Sequence, residues 1–228
     1  MNKGVEQANK GDYEAARQYY TAAISQDPKA WPLYLNRGVV FMNLGKLDFA
    51  IQDLNTLLRL APGILLAQVV RGQIYERLGN YSRALADYDR IISITPQSLP
   101  LNRALAHNSR AWLRATCPNA SFRNGTQAVS DAKSACNETS WRETAYIDTL
   151  AAAHAEVGDF NSAIQFKQRA IQSAHEDTWA IKDPERRRAS YERQLALYQR
   201  RLAAYERHQL GGLTCTGPTP RAHPVSSD

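Results

Sequence analysis

Between Tyr34 and Met42 the chain is apolar on two sides of one helix. Tyr34, Gly38 and Phe41 lie on one face, while Leu35, Val39 and Met42 recur at i, i+4 and i+7 on the other. The segment that follows repeats the feature with Leu66, Val69 and Val70, then turns polar at Gln73, Glu76 and Arg77. A helix apolar on both sides must be covered twice or must offer one side to a partner. Near the C-terminus Leu195, Tyr198, Leu202 and Tyr205 form a third stripe at i, i+3, i+7 and i+10. Asp183 as N-cap and Pro184 at the first helical position mark where that helix starts.

These stripes recur with a fixed beat. Gly4, Gly38 and Gly72 are each 34 residues apart, as are Gly11, Gly45 and Gly79; Ala16/Ala50/Ala84, Tyr20/Leu54/Tyr88 and Pro28/Pro62/Pro96 keep the same step. A period of this length is the mark of stacked supersecondary units, each unable to bury its apolar face alone. The mid-helix glycines, which cost roughly 1 kcal/mol against alanine, predict a close approach of a second helix, with Ala50 or Ala84 as the partner. Gly45-Lys46-Leu47 and Gly79-Asn80-Tyr81 supply the turns, and the proline column ends the second helices, so each unit is a helical hairpin.

The segments Tyr34-Leu35-Asn36-Arg37-Gly38 with Gly45, Ala50 and Pro62, and Arg71-Gly72-Gln73-Ile74-Tyr75 with Gly79, Ala84, Tyr88 and Pro96, resemble tetratricopeptide repeats. Leu150-Ala151, His154, Gly158-Asp159-Phe160, Ala163 and Ala170 resemble a further unit, with His175 in the place of the terminal proline. Ser109-Arg110-Ala111-Trp112 with Ala128, Asp131 and Ala135 looks like a stretched repeat, its Ala111 to Ala128 step being 17 against 12 from Gly38 to Ala50. Its Trp-Leu-x-Ala-Thr-Cys-Pro-Asn segment is similar to one in tetratricopeptide proteins of some bacteria, where such arrays are attached to kinase or WD40-type domains. The resemblance implies an all-α, right-handed superhelix of five hairpins over residues 1–175, divided as 1–30, 31–64, 65–98, an atypical 101–137 and 141–175. A basic C-terminal helix over 183–209 caps it, and a turn-rich tail over 210–228 is expected to be disordered. Met1 falls inside the first helix of hairpin one, about one turn short of hairpin two, which points to a piece of a larger protein.

In the family pattern the second-face positions line a concave groove. Leu35, Asn36, Val39, Met42, Asn43, Leu66, Val69, Gln73 and Arg77 are the candidate lining: an apolar floor with polar edges, suited to an extended or helical peptide. The same stripe could equally be covered by neighbouring repeats or by the C-terminal helix. Relatives that clamp a chaperone's C-terminal carboxylate use Lys, Asn, Asn, Lys and Arg on successive first helices. The matching positions here read Met1, Val5, Asn36, Leu66 and Val70, so the cationic cradle is missing.

Composition narrows the function further. The 228 residues are 43% hydrophobic, with no apolar run of membrane-spanning length. Cys117, Cys136 and Cys215 have no metal or disulfide spacing, which suits reduced thiols and a cytoplasmic location. No phosphate loop, Gly-x-Ser-x-Gly or His-Glu-x-x-His is present, and the five histidines stand singly, so neither an enzyme nor a cofactor or metal site is expected. Asn80, Asn119, Asn124 and Asn137 each begin an Asn-x-Ser/Thr triplet and are read as turn and cap residues. Of the net charge of +6, four units lie beyond Ala180, where Arg186, Arg187, Arg188, Arg193, Arg200, Arg201 and Arg207 surround the apolar stripe. This helix either caps the stack or touches RNA or another acidic surface; capping fits its interleaved glutamates better. Finally, Arg37/Asp53 and Arg71/Asp87 are each 16 apart and Arg110/Asp131 is 21 apart, the difference matching the inserted loop, while hairpin five has Leu150 and Phe166 instead. Joint replacement predicts that each arginine meets an aspartate across a helix seam.

Overall fold

The structure is a computed structural model that describes residues 2–96, 99–179, 192, 195, 196 and 198–207. The protein is all-α. The chain forms two compact units, the first running to Ile94 and the second beginning at Thr95.

The first unit holds three hairpins: α1 (Asn2–Asn9) with α2 (Tyr13–Gln26), α3 (Trp31–Asn43) with α4 (Leu47–Leu60), and α5 (Leu65–Arg77) with α6 (Tyr81–Ile94). The turns follow from the glycine column. Gly11, Gly45 and Gly79 have φ of 81°, 71° and 72°, a left-handed conformation that costs glycine nothing. It lets the next amides close the first helix: Lys46 N–H donates to the Phe41 carbonyl at 2.9 Å and Asn80 N–H to that of Tyr75 at 2.8 Å. The second helices stop two residues before Pro28, Pro62 and Pro96. The close approach at the mid-helix glycines is made mainly by the side chain sixteen residues on, rather than by the expected alanine. A Cβ on Gly72 would lie 2.5 Å from the Tyr88 ring, and one on Gly38 3.5 Å from Leu54 and 3.6 Å from the Ala50 carbonyl.

The arginine and aspartate columns do meet, within one hairpin. Arg37 donates to Asp53 from Nε at 2.8 Å and Nη2 at 2.7 Å, and Arg71 to Asp87 at 2.9 and 2.6 Å. The remaining Nη1 reaches back to the preceding hairpin, to Thr21 at 3.2 Å from Arg37 and to Asn55 at 2.7 Å from Arg71. Each guanidinium therefore pins its own two helices and the second helix before them. Its planar fork is the geometry that a carboxylate takes up twice over.

The second unit packs α7 (Pro100–Thr116), a 3-10 turn (Ala120–Phe122), α8 (Gly125–Glu138), α9 (Thr144–Glu156) and α10 (Phe160–Trp179). The inserted loop is held by its own asparagines: Asn119 Oδ1 accepts from the Ser121 amide at 3.1 Å, and Asn124 Oδ1 caps α8 through the Gln127 amide at 3.0 Å. Arg110 grips Asp131 at 2.8 and 2.6 Å, and Arg114, Gln127 and His107 add weaker contacts. Burial pushes the Asp131 carboxyl up, but the His107, Arg110 and Gln127 bonds outweigh it and hold the group at about 2. Cys117 caps α7 and, like Cys136, is buried; burial pushes the Cys136 thiol up to about 12. One turn departs from the repeat pattern. After α8 the left-handed residues are Ser140 at φ 52° and Trp141 at φ 61°, a strain of about 1–2 kcal/mol per residue that Gly158, at φ 80°, avoids in the next hairpin. The Trp141 ring offsets that strain: its Nε1 donates to Asn137 at 3.0 Å, and it stacks on Phe166 with the Arg169 guanidinium 4.4 Å from its centroid.

Residues 198–207 form a further helix, α11, with residues 192, 195 and 196 also helical. Tyr198 and Tyr205 of the predicted stripe are buried, and Leu195 and Leu202 are half-buried. The tyrosines pack on the last two hairpins: Tyr198 joins the cluster of Ala111, Ile147, Leu150, Ala170 and Ala174, and Tyr205 that of Ala151 and Ala163. The predicted helix start at Asp183-Pro184-Glu185 and the tail over 210–228 lie outside the described residues.

Candidate peptide-binding groove

All nine candidate residues lie on α3 and α5, the first helices of hairpins two and three, which touch each other in the first unit. The structure divides them. Met42 at 3% and Val69 at 2% exposure are core, Met42 in a cluster with Tyr34, Leu54, Leu57, Ala67 and Ile74. α5 closes over Met42, and with both side chains buried they offer nothing to a ligand. Leu35, Asn36, Val39 and Gln73 are half-buried, and Asn43, Leu66 and Arg77 are exposed, Leu66 to 49%. Asn43 spends one amide hydrogen on its own helix, donating to the Val39 carbonyl at 3.0 Å. What remains open is a narrower strip of Leu35, Val39 and Leu66 with amide and guanidinium groups beside it. The arginine clamps set its spacing, because Arg37 and Arg71 rise from the same two helices.

Sequence reasoning placed Glu76 at the polar edge and missed its partner. Its Oε1 accepts the Tyr88 hydroxyl at 2.6 Å, and among the described residues no cation is paired with it. Burial pushes the carboxyl up to about 7, only partly offset by the Tyr88 bond. A folded-state pKa above the unfolded value means that the protonated acid favours folding, and stability falls as pH rises from about 4.5 through 7. Glu76→Gln keeps the acceptor and removes the charge. At pH 8 it should stabilise the protein by about 2 kcal/mol, after a discount for the water-accessible part of the side chain, and at pH 4 by nothing. Thermal melts of both proteins at the two pH values check this; an equal difference at both would refute it.

A second depression lies on the first hairpin, lined by Lys3, Gly4, Tyr19, Tyr20, Ala22, Ala23 and Gln26. Among the described residues no group of three or more His, Cys, Asp and Glu is placed to hold a metal, and no helix is long and apolar enough to cross a membrane.

Two-helix repeats of 34 residues, each turned by a left-handed glycine and pinned to its neighbour by an arginine, define a helical-repeat protein. The profile of the tetratricopeptide repeat family matches residues 1–63 and 41–98, so the three hairpins of the first unit are tetratricopeptide repeats. Stress-induced-phosphoprotein 1 of Caenorhabditis elegans is 39% identical over 59 residues, a match that takes in 26% of this chain and 18% of that protein's length. Among solved structures, a thermophilic tetratricopeptide protein of Thermus thermophilus superposes with a TM-score of 0.61 at 19% identity, covering 86% of this chain and 97% of its own. A chain of the APC/C hetero-tetramer Cut9-Hcn1 gives 0.63 at 16% identity, over 91% of this chain and 37% of that one. These likenesses extend the fold assignment beyond the residues that the profile matches.

Proposed function

We propose that the protein is a non-catalytic interaction scaffold, and that Leu35, Asn36, Val39 and Asn43 on α3 with Leu66, Gln73 and Arg77 on α5 receive a peptide with apolar anchors. The reading rests on one observation. Met42 and Val69 already satisfy the packing of the two first helices, yet Leu35, Val39 and Leu66 beside them stay partly open to water. An apolar strip with adjacent amide and guanidinium groups suits an extended or helical segment held by two or three apolar side chains. The neighbour in the Cut9-Hcn1 assembly is part of a hetero-tetramer, which is consistent with a protein partner. The buried thiol of Cys136 suits a reducing, cytoplasmic setting.

Partners captured on the intact chain from its native host, and identified by mass spectrometry, provide the ligand for the test. Val39→Glu and Leu66→Glu should each weaken binding of that partner at least ten-fold with unchanged helical circular dichroism, because the added charge is desolvated only when the ligand arrives. Val69→Glu should instead unfold the first unit, since that side chain is core. Unchanged affinity in both surface variants removes the groove. A salt titration identifies the rival surface: an apolar strip responds little to ionic strength, whereas a steep fall would assign binding to exposed arginines such as Arg200 and Arg207.

A further inference from the structure

Hairpins four and five carry the columns that form the open strip in hairpin two. With Ala111 and Ala151 at the Gly38 position, Trp112 stands where Val39 stands and Asp148 where Leu35 stands. Here both are closed, at 8% and 2% exposure. Part of what closes them is α11. The Arg201 guanidinium lies 4.6 Å from the centroid of the Trp112 ring and donates from Nη1 to Asp148 Oδ2 at 2.5 Å. Three residues before it Tyr198 packs on α10, and four residues after it Tyr205 packs beside Ala151. Asp148 also pairs with the wholly buried Lys167 of α10, whose ammonium is 4.6 Å from the centroid of the Tyr198 ring.

The charges say which of these contacts the hairpin can do without. Two cations share one carboxylate. Removing Arg201 leaves Asp148 and Lys167 paired one to one, whereas removing Asp148 strands a buried ammonium. Burial, and then the Arg201 charge, push Lys167 well below its ordinary value, so departure of α11 also relieves a like-charge repulsion. A helix that only closed an apolar end would need neither cation nor carboxylate.

We propose that this face of the second unit is a docking surface for an amphipathic helix of a partner protein that presents an arginine with an aromatic side chain at i−3 and i+4, and that α11 occupies it in cis. The surface is separate from the strip on α3 and α5, so either can fail alone. The probe is a fluorescein-labelled peptide of residues 192–207, titrated into the full chain. Tethered α11 competes at an effective concentration on the order of millimolar, so the unaltered protein binds the peptide weakly. Arg201→Glu sets a carboxylate against Asp148 and evicts α11. Binding of the unaltered peptide should then tighten at least ten-fold, and backbone amides of residues 198–207 should lose hydrogen-exchange protection. Adding Trp112→Ala should reverse the gain, and a peptide with Arg201→Gln should not bind. Val39→Glu, in the other unit, should change none of this. If Arg201→Glu stays folded yet binds the peptide no better than the unaltered chain, or keeps α11 protected, the proposal is overturned. Unfolding of the second unit by both Arg201→Glu and the milder Arg201→Gln overturns it too, because α11 would then be fixed core.

Discussion

Alanine in place of Asp87 should lower the stability of the first unit by about 3 kcal/mol, several times the cost of a typical surface substitution. Asp87 takes two bonds from Arg71 and is buried to 8% side-chain exposure, while the Arg71 side chain is at 21%. Without the acid Arg71 keeps Asn55, a neutral acceptor that cannot balance its charge. The lower end of the range for a broken buried pair applies because water still reaches the arginine. Hairpin five shows how to remove the clamp without that penalty. Leu150 and Phe166 stand at the two positions, Leu150 fully buried and Phe166 half-buried and stacked on Trp141 and His154. Arg71→Leu combined with Asp87→Phe should therefore recover at least about 1 kcal/mol of what Asp87→Ala loses, since replacing both partners leaves no orphaned charge. Urea unfolding measures all three proteins. A loss under about 0.5 kcal/mol for Asp87→Ala, the scale of a surface change, would show the clamp to be incidental.

Two glycines of one column should answer the same substitution with opposite signs. Gly38→Ala meets Leu54 and the Ala50 carbonyl at ordinary contact distance, so the helix-propensity gain of about 1 kcal/mol should raise the melting temperature. Gly72→Ala brings its Cβ to 2.5 Å from Tyr88, a ring with no exposed surface whose hydroxyl is tied to Glu76. Overpacking of a fixed ring costs about 3 kcal/mol and outweighs the propensity gain, leaving a net loss of about 2 kcal/mol. Gly72→Ala with Tyr88→Leu, which restores the pairing of hairpin two, should regain most of it. Melts in which both alanines act alike would refute the packing account.

The hairpins were legible because each repeat restates the same physical requirement. A left-handed residue after the first helix of hairpins one, two, three and five demands glycine, and the column at Gly11, Gly45, Gly79 and Gly158 gives those turns directly. The arginine clamps were legible for a related reason: paired positions changed together, and their separation lengthened with the inserted loop. The open strip was only half legible. Leu35, Val39, Met42 and Val69 look alike in sequence, and nothing local tells which of them a stacked helix will cover. The turn at Ser140 and Trp141 was hidden because its strain is offset by a tryptophan ring rather than avoided by glycine. The Asp148, Lys167 and Arg201 cluster was hidden more deeply. Lys167 stands in the column of Tyr20, Leu54 and Tyr88, where an apolar side chain is expected, and Arg201 meets Asp148 from 53 residues away.

The two-way reach of Arg37 and Arg71 makes each 34-residue period an interchangeable cassette. Thr21 lies sixteen residues before Arg37 and Asp53 sixteen after; Asn55 and Asp87 stand in the same relation to Arg71. Excising residues 37–70 would bring Arg71 into the place of Arg37, with Thr21 behind it and Asp87 ahead at unchanged separations. Every guanidinium in the shortened array of clamps would still find both of its acceptors. Duplication of a period would preserve them equally, whereas an insertion of any other length must supply its own repair, as the loop with the Asn119 and Asn124 caps does in hairpin four. Gain or loss of whole hairpins is thus the change in length that this architecture absorbs with its internal bonding intact.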